Sequence, residues 1–230
     1  MNKYFALIIG ICFPALALSG AVTGKIVIDG VEYGDSVVRG NHQRAEQRRT
    51  LPCFERIRLL AAVDVSYQPA SRCQVRLTGD SNLLDLIVTD VHGDTLVIDA
   101  RRSFQSEGPL QVQINSPRLR ELDVQSAADV HLRRLKSPNL TIRADGSSDL
   151  RADGRVDRLE VFTNGSGTLD LGRLESNHVR VRSSGAADVI VHARDRLDVD
   201  LSGAGDVLYY GHPAEVNVKN SGAGDVEAAE

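Results

Sequence analysis

The chain has 230 residues, 27 basic against 31 acidic, and a formal net charge of −4. That balance argues against nucleic acid and against anionic membrane surfaces as main partners. Five Phe, five Tyr and no Trp leave base-stacking platforms and wide aromatic sugar-binding surfaces poorly supplied, while the apolar content, mostly Val, Leu, Ile and Ala, is ample for a core.

Residues 1–19 read as an export signal. Lys3 supplies the positive start, Tyr4 to Leu18 form an apolar stretch too short for a comfortable membrane span, and Ala17-Leu18-Ser19 offers a cleavage site after Ser19. The mature chain is therefore expected to be exported, to the periplasm or to the cell surface, and not to span a membrane. Cleavage removes Cys12 and leaves Cys53 and Cys73. An even count in an exported chain suggests one disulfide; two unpaired thiols on neighbouring strands are the alternative. Neither cysteine has a second ligand at zinc spacing, so no metal is expected there.

Residues 20–50 are set apart as an N-terminal arm. Lys25-Ile-Val-Ile-Asp-Gly and Tyr33-Gly-Asp-Ser-Val-Val-Arg-Gly could make a short hairpin around Asp29-Gly30. Asn41 to Thr50 is polar and carries Arg44, Arg48 and Arg49, which reads as a solvated linker. From Leu51 to Glu230 the pattern is strands. Phe54-Glu-Arg-Ile-Arg-Leu-Leu, Val63-Asp-Val-Ser-Tyr, Gln74-Val-Arg-Leu, Leu84-Asp-Leu-Ile-Val and Thr95-Leu-Val-Ile-Asp mostly alternate apolar and polar residues. Gly79-Asp80, Gly93-Asp94 and Gly108-Pro109 supply turns, and no segment has a helical period of useful length.

The second half is a repeat. Ser184-Gly-Ala-Ala-Asp-Val, Ser202-Gly-Ala-Gly-Asp-Val and Ser221-Gly-Ala-Gly-Asp-Val are near-copies, with weaker ones at Asp145-Gly-Ser-Ser-Asp-Leu and Asn164-Gly-Ser-Gly-Thr-Leu. Gly146, Gly165, Gly185, Gly203 and Gly222 form a column with steps of 19, 20, 18 and 19. Before each turn run two inward columns, Leu122, Leu140, Leu159, Val179, Leu197, Val216 and Val124, Ile142, Val161, Val181, Val199, Val218. After it run the pairs Val130/Leu132, Leu150/Ala152, Leu169/Leu171, Val189/Val191, Val207/Tyr209 and Val226/Ala228. Period-2 alternation inside a period of about 19 means at least two strands per rung and predicts an all-β fold, a parallel β-helix (solenoid), right-handed by the usual rule. In this alignment the first rung is two residues short between Val124 and Asp129. The turn glycines are expected at positive φ and also to let stacked turns approach closely. Asp129, Asp149, Asp188, Asp206 and Asp225 share a column in which a carboxylate can accept backbone N–H bonds. Outward, Glu160, Arg180 and Asp198 alternate in sign from rung to rung, as do Arg182, Asp200 and Lys219.

These residues resemble a known family. Phe54-Glu-Arg-Ile-Arg-Leu, Leu77-Thr-Gly-Asp-Ser-Asn-Leu-Leu, Leu96-Val-Ile, the Ser-Gly-Ala-Gly-Asp-Val repeats and Tyr210-Gly-His-Pro are similar to the bacterial putative auto-transporter adhesin head domain, the head GIN domain, over roughly residues 51–228. The resemblance implies an exported β-helical domain with an adhesin-like role, and it brings no catalytic residues. The chain departs from the pattern at Ala127, Ser147 and Thr168, and adds the two cysteines and the arm.

Sharper chemistry finds little support in the residues. Gly- and Asp-rich calcium rolls repeat every nine residues, whereas here the period is about 19 with one acid per turn. Asp198, Asp200, Arg180 and Arg182 could form an acid–arginine patch for work on a glycosidic bond, but alternating salt pairs explain the same residues. The six histidines fall in no HExxH, and no GxSxG occurs. Ile190, Leu208 and Tyr210 form an outward apolar patch able to seat a partner or a second copy, or to be covered by the arm. The expectation is a non-enzymatic exported β-helix without a cofactor, binding glycan or an envelope or surface protein through many weak contacts. The alternatives are a polysaccharide-active enzyme or an envelope scaffold that self-associates.

Overall fold

A computed structural model describes residues 26–28, 31–33 and 37–229, in two units, Met1–Ser36 and Val37–Glu230. The proposed signal, residues 1–19, lies outside the described residues. In the first unit β1 (Ile26–Ile28) and β2 (Val31–Tyr33) pair antiparallel, Ile26 opposite Tyr33 and Ile28 opposite Val31, as a hairpin at 29–30 requires.

The second unit is 67% strand when counted with the first and folds as a β-solenoid of about five turns. It opens with β3 (Val38–Arg39), β4 (Arg44–Thr50), β5 (Arg56–Leu59), β6 (Asp64–Pro69) and β7 (Gln74–Asp80). A single helical turn, α1 (Ser81–Leu84), leads to β8 (Ile87–His92), β9 (Thr95–Ala100), β10 (Phe104–Gln105), β11 (Gln111–Ser116) and β12 (Glu121–Val124). The repeats follow as β13 (Asp129–Ala144), β14 (Asp149–Thr163), β15 (Ser166–Ser183) and β16 (Ala186–Leu201). The last described rung is β17 (Val207–Tyr210), β18 (Glu215–Asn220) and β19 (Val226–Ala228).

Each long repeat strand bends round more than one side of the stack and pairs in parallel with the next. The expected second-strand column is in register, Val130, Leu150, Leu169, Val189, Val207 and Val226, and all but Val226 are fully buried. A third, shorter ladder completes each rung and carries the buried column Ser137, Val156, Ser176 and Ala193. Its serines satisfy themselves locally, Ser176 Oγ donating to the Leu174 carbonyl at 3.1 Å and Ser137 Oγ to that of Asn139 at 2.8 Å. Because three of the four residues of this column are Ser or Ala, its hydropathy does not stand out in the sequence.

Two alignments shift. Leu122 stacks on Ile142 and Val124 on Ala144, two residues away from the expected register. The slip keeps the same face inward, since the side-chain period is two. It also removes the apparent two-residue deletion: the turn from Val124 to Asp129 is as long as that from Ala144 to Asp149. At the other end Val216 and Val218 continue the buried Leu197 and Val199 columns but are 41% and 46% exposed, because no further rung covers them among the described residues.

The expected linker over 41–50 is instead a strand. β4 pairs antiparallel with β7 along its whole length, and β7 with β11, so antiparallel strands close the first end of the stack. Arg49 reaches back from β4 to donate to the carbonyls of Ile87 (2.6 Å) and Leu84 (3.0 Å) and to Thr89 Oγ1 (2.9 Å). Arg44 donates to the Pro109 carbonyl at 2.8 Å, and Arg48 pairs with Glu46 at 2.7 Å. Arg44 and Arg49 thus tie β4 to other segments, while Arg48 stays 60% exposed with its partner on its own strand. The two cysteines are bridged, with Cα atoms 5.1 Å apart, tying the start of β5 to the start of β7.

Candidate functional site

The turn hexads are built for close stacking. A Cβ on Gly203 would lie 1.9 Å from the Gly185 carbonyl oxygen, and the same approach recurs at Gly165, Gly185 and Gly222, at 2.0–2.2 Å from the preceding rung's turn glycine. That space is needed because the turns form their own backbone ladder: Ala186 N–H donates to Gly165, Ala204 to Gly185 and Ala223 to Gly203, each at 2.9 Å. The positive φ expected at the glycine column is not used there; among the repeat-turn glycines only Gly167 has it, at 107°. Close approach alone therefore demands these glycines.

The aspartate column acts across rungs. Asp149 Oδ1 accepts the Thr168 amide (2.9 Å), Asp188 Oδ1 that of Asp206 (3.0 Å), and Asp206 Oδ1 that of Asp225 (2.9 Å). Each carboxylate thus holds the amide of the residue stacked on it, which draws the like charges into backbone contacts and gives each a bound N–H.

One concavity was not legible in the repeats. β11, β6, β13 and β14 lie side by side, and their outward residues line a groove of about 610 Å³. Across the strands one row reads Gln111, Asp64, Asp129 and Asp149, and the next reads Gln113, Ser66, His131 and Arg151. Gln68, Asn115 and Arg133 complete the wall. The sheet beneath it is fixed from the core side: Tyr67 is fully buried, and its hydroxyl donates to the Ser116 carbonyl at 3.1 Å. Burial, and secondly the neighbouring Asp129, push the Asp64 carboxyl above the usual carboxylate range. Three acids, two arginines, a histidine and four carboxamides on one floor make a surface that both donates and accepts hydrogen bonds.

The second row runs on beyond the groove. Arg151 stacks on Asp170, Asp170 on Ile190, and Ile190 on Leu208. The expected apolar patch is therefore brought together on the same face as the groove, with six strands separating Ser66 from Leu208 inclusive, roughly 24 Å at the usual strand spacing. The patch is partly roofed by its own member. A Cβ on Gly172 would meet the Tyr210 ring at 3.1 Å and Ile190 at 3.2 Å, so Tyr210 folds back over Ile190 to Gly172. Ile190 and Leu208 are half-buried and Tyr210 is exposed.

On another face the alternating charges are in register, Glu160, Arg180, Asp198 and Asn217 in one row and Phe162, Arg182, Asp200 and Lys219 in the next. Phe162 breaks the second row and takes Arg143 against its ring at 4.4 Å. Asp198 does not serve as a proton donor at neutral pH. Two hydrogen bonds from Arg196, both 2.8 Å, and one from Asn217 hold its carboxyl below the usual range. No group of three or more His, Cys, Asp or Glu able to hold a metal occurs among the described residues.

The putative auto-transporter adhesin, head GIN domain family matches residues 53–213. The chain belongs to this family. Solved structures share the head GIN fold. A putative adhesin from Bacteroides fragilis NCTC 9343 superposes with a TM-score of 0.71 at 19% identity, over 84% of this chain and 100% of that one. A putative adhesin from Parabacteroides merdae ATCC 43184 gives 0.52 at 21% identity, over 84% and 99%. A putative lipid binding protein from Parabacteroides distasonis ATCC 8503 gives 0.50 at 17% identity, over 84% and 99%. No curated protein matches the chain. The adhesin-type family and neighbours fit a non-enzymatic, adhesion-like role. The family, the disulfide and the lack among the described residues of a helix long and apolar enough to cross a membrane are compatible with an exported protein.

Proposed function

We propose that this head GIN domain is an exported, non-enzymatic recognition module that binds a polar glycan along the β11–β6–β13–β14 groove. The observation that carries the reading is the groove's composition. Carboxamides, carboxylates and arginines on a rigid sheet match the vicinal hydroxyls of a sugar, each of which both donates and accepts. The row continuing to Leu208 supports an extended ligand, with one residue contacted per strand and weak contacts adding along the chain. Export follows from the apolar N-terminal segment read as a signal, and the disulfide supports an oxidising compartment.

The lipid-binding description carried by the Parabacteroides distasonis neighbour fits this surface less well. Its lining side chains are mainly charged or amide-bearing, which suits headgroup-like polarity and not an acyl chain. An enzyme that uses Asp198 as its proton donor is poorly served, since the hydrogen bonds from Arg196 hold that carboxyl below the usual range.

The test is a broad array of bacterial and host glycans probed with the purified mature protein, followed by titration of any hit. Saturable binding that falls at least tenfold in Arg151→Ala and Gln113→Ala, and not in Arg180→Ala on the other face, supports the reading. Binding unaffected by the groove variants, or no glycan bound by well-folded protein, sinks it. Release of reducing ends from a bound glycan would replace it with an enzyme.

A further inference from the structure

The two ends of the stack differ. Antiparallel strands close the first end, whereas β18 leaves one edge unpaired among the described residues and pairs only with β16. Its face is apolar where the core continues: Val216 and Val218 sit on Leu197 and Val199, both buried, yet are 41% and 46% exposed. An exposed strand edge over an exposed core is a template for another strand.

The sequence of that edge chooses the strand. We propose that β18 pairs antiparallel with β18 of a second copy of this chain, about a two-fold axis at Asn217. In that register Val216 lies opposite Val218 of the partner, and Glu215 opposite Lys219 of the partner, each twice by symmetry. Both pairs keep to their own faces, the valines inward and the charges outward, because the paired positions have the same parity. Charge complementarity and apolar match thus come from one hexad, Glu-Val-Asn-Val-Lys-Asn.

Backbone geometry agrees. The Ser221 amide donates to the Leu201 carbonyl at 2.9 Å, so odd-numbered residues turn their N–H and C=O groups toward β16. Strand alternation then turns those of Val216 and Val218 to the free edge, where the proposed register makes them a pair that exchanges both hydrogen bonds. Shifts by one residue at each end bring Val216 opposite Asn220, or Val216 opposite itself with Val218 opposite Ala214, and lose the Glu–Lys pairs. The outward face is already ordered to receive a partner. Arg196 bonds Glu215 at 2.9 Å, and Asn217 Nδ2 donates to both Asp198 and Glu215 at 3.0 Å, so β18 spends little additional side-chain freedom on docking. The result is a dimer whose solenoids join end to end and whose two groove faces are held in one particle, which raises avidity for a repetitive ligand.

Sedimentation equilibrium and light scattering on the full chain at tens of micromolar test this. The wild type is expected at twice the chain mass, and Val218→Lys at the chain mass with unchanged far-UV circular dichroism. Asn217→Cys places two thiols across a non-hydrogen-bonded pair with Cα atoms about 4.5 Å apart, within disulfide reach. It is expected to crosslink under mild oxidation. Lys219→Cys, whose symmetry mates lie roughly 14 Å apart along the strands, is expected not to. A monomeric wild type overturns the proposal. So does a dimer that survives Val218→Lys, or one in which Lys219→Cys crosslinks as readily as Asn217→Cys.

Discussion

Replacing Gly203 by Ala tests what the glycine column is for. The added Cβ would sit 1.9 Å from the Gly185 carbonyl oxygen and 2.9 Å from two backbone carbons, against an ordinary contact of at least 3.4 Å. The neighbour is backbone in the turn ladder, so relief requires the two rungs to part by about 1.5 Å locally, which stretches the Ala204-to-Gly185 hydrogen bond from 2.9 Å beyond bonding range. Overpacking of this kind costs about 1–3 kcal/mol and the hydrogen bond about 1 kcal/mol, so a loss near 3 kcal/mol is expected. For a domain of this size that is a fall in Tm of roughly 6–12 °C. Gly93 is the control. It has φ +64° with nothing within 4 Å of an added Cβ, so Gly93→Ala meets only the left-handed penalty, partly offset in the unfolded chain, and should cost about 1 kcal/mol or less. Thermal melts followed by circular dichroism, with urea midpoints, compare the two. If Gly203→Ala is no worse than Gly93→Ala, close stacking is not the reason for the column.

Reduction of the Cys53–Cys73 bridge, or the double change to Ser, should lower stability by about 3 kcal/mol for a loop of 20 residues, read as a shift of the urea midpoint; an unchanged midpoint would show the bridge to be energetically idle. Asp188→Ala should cost about 1 kcal/mol by leaving the Asp206 amide without its acceptor, while Asp188→Asn, which keeps an acceptor oxygen, should cost clearly less; equal losses would refute the cross-rung bond. Asp64 has a folded-state pKa raised above its usual 3.8, so the folded protein holds that proton more tightly than the unfolded chain does. Its ionisation therefore weakens the fold as pH rises through the carboxylate range. Asp64→Asn should be more stable than wild type at pH 7, with the difference vanishing below about pH 3.8; a variant less stable at pH 7 reverses the argument.

The repeat was legible because it satisfies two periods at once. Leu159/Val161 and Val179/Val181 alternate every two residues and recur about every 19, which only stacked strands allow. The cysteine count pointed to the bridge, and the aspartate column to the backbone bonds that Asp149, Asp188 and Asp206 accept. Segment 41–50 misled for a physical reason. β4 lies at the edge of the sheet with its inner face only half-buried, so polar residues serve on both sides and leave no hydropathy signal. The groove escaped for another. Asp64 and Gln113 belong to strands before the repeat, nearly fifty residues apart, and meet Asp129 and Arg151 only through the pairing of β6 with both β11 and β13.

The sequence by itself determined that the chain stacks strands and which side chains of the two strands flanking each glycine turn face inward, because local alternation and a repeated glycine constrain every copy in the same way. Tertiary structure alone decided the register of the first rung, the closing of one end by β4 and β7, and the assembly of the groove. Those depend on which strand lies beside which, a choice made by long-range pairing, and a two-residue slip or a polar edge strand leaves the local pattern unchanged.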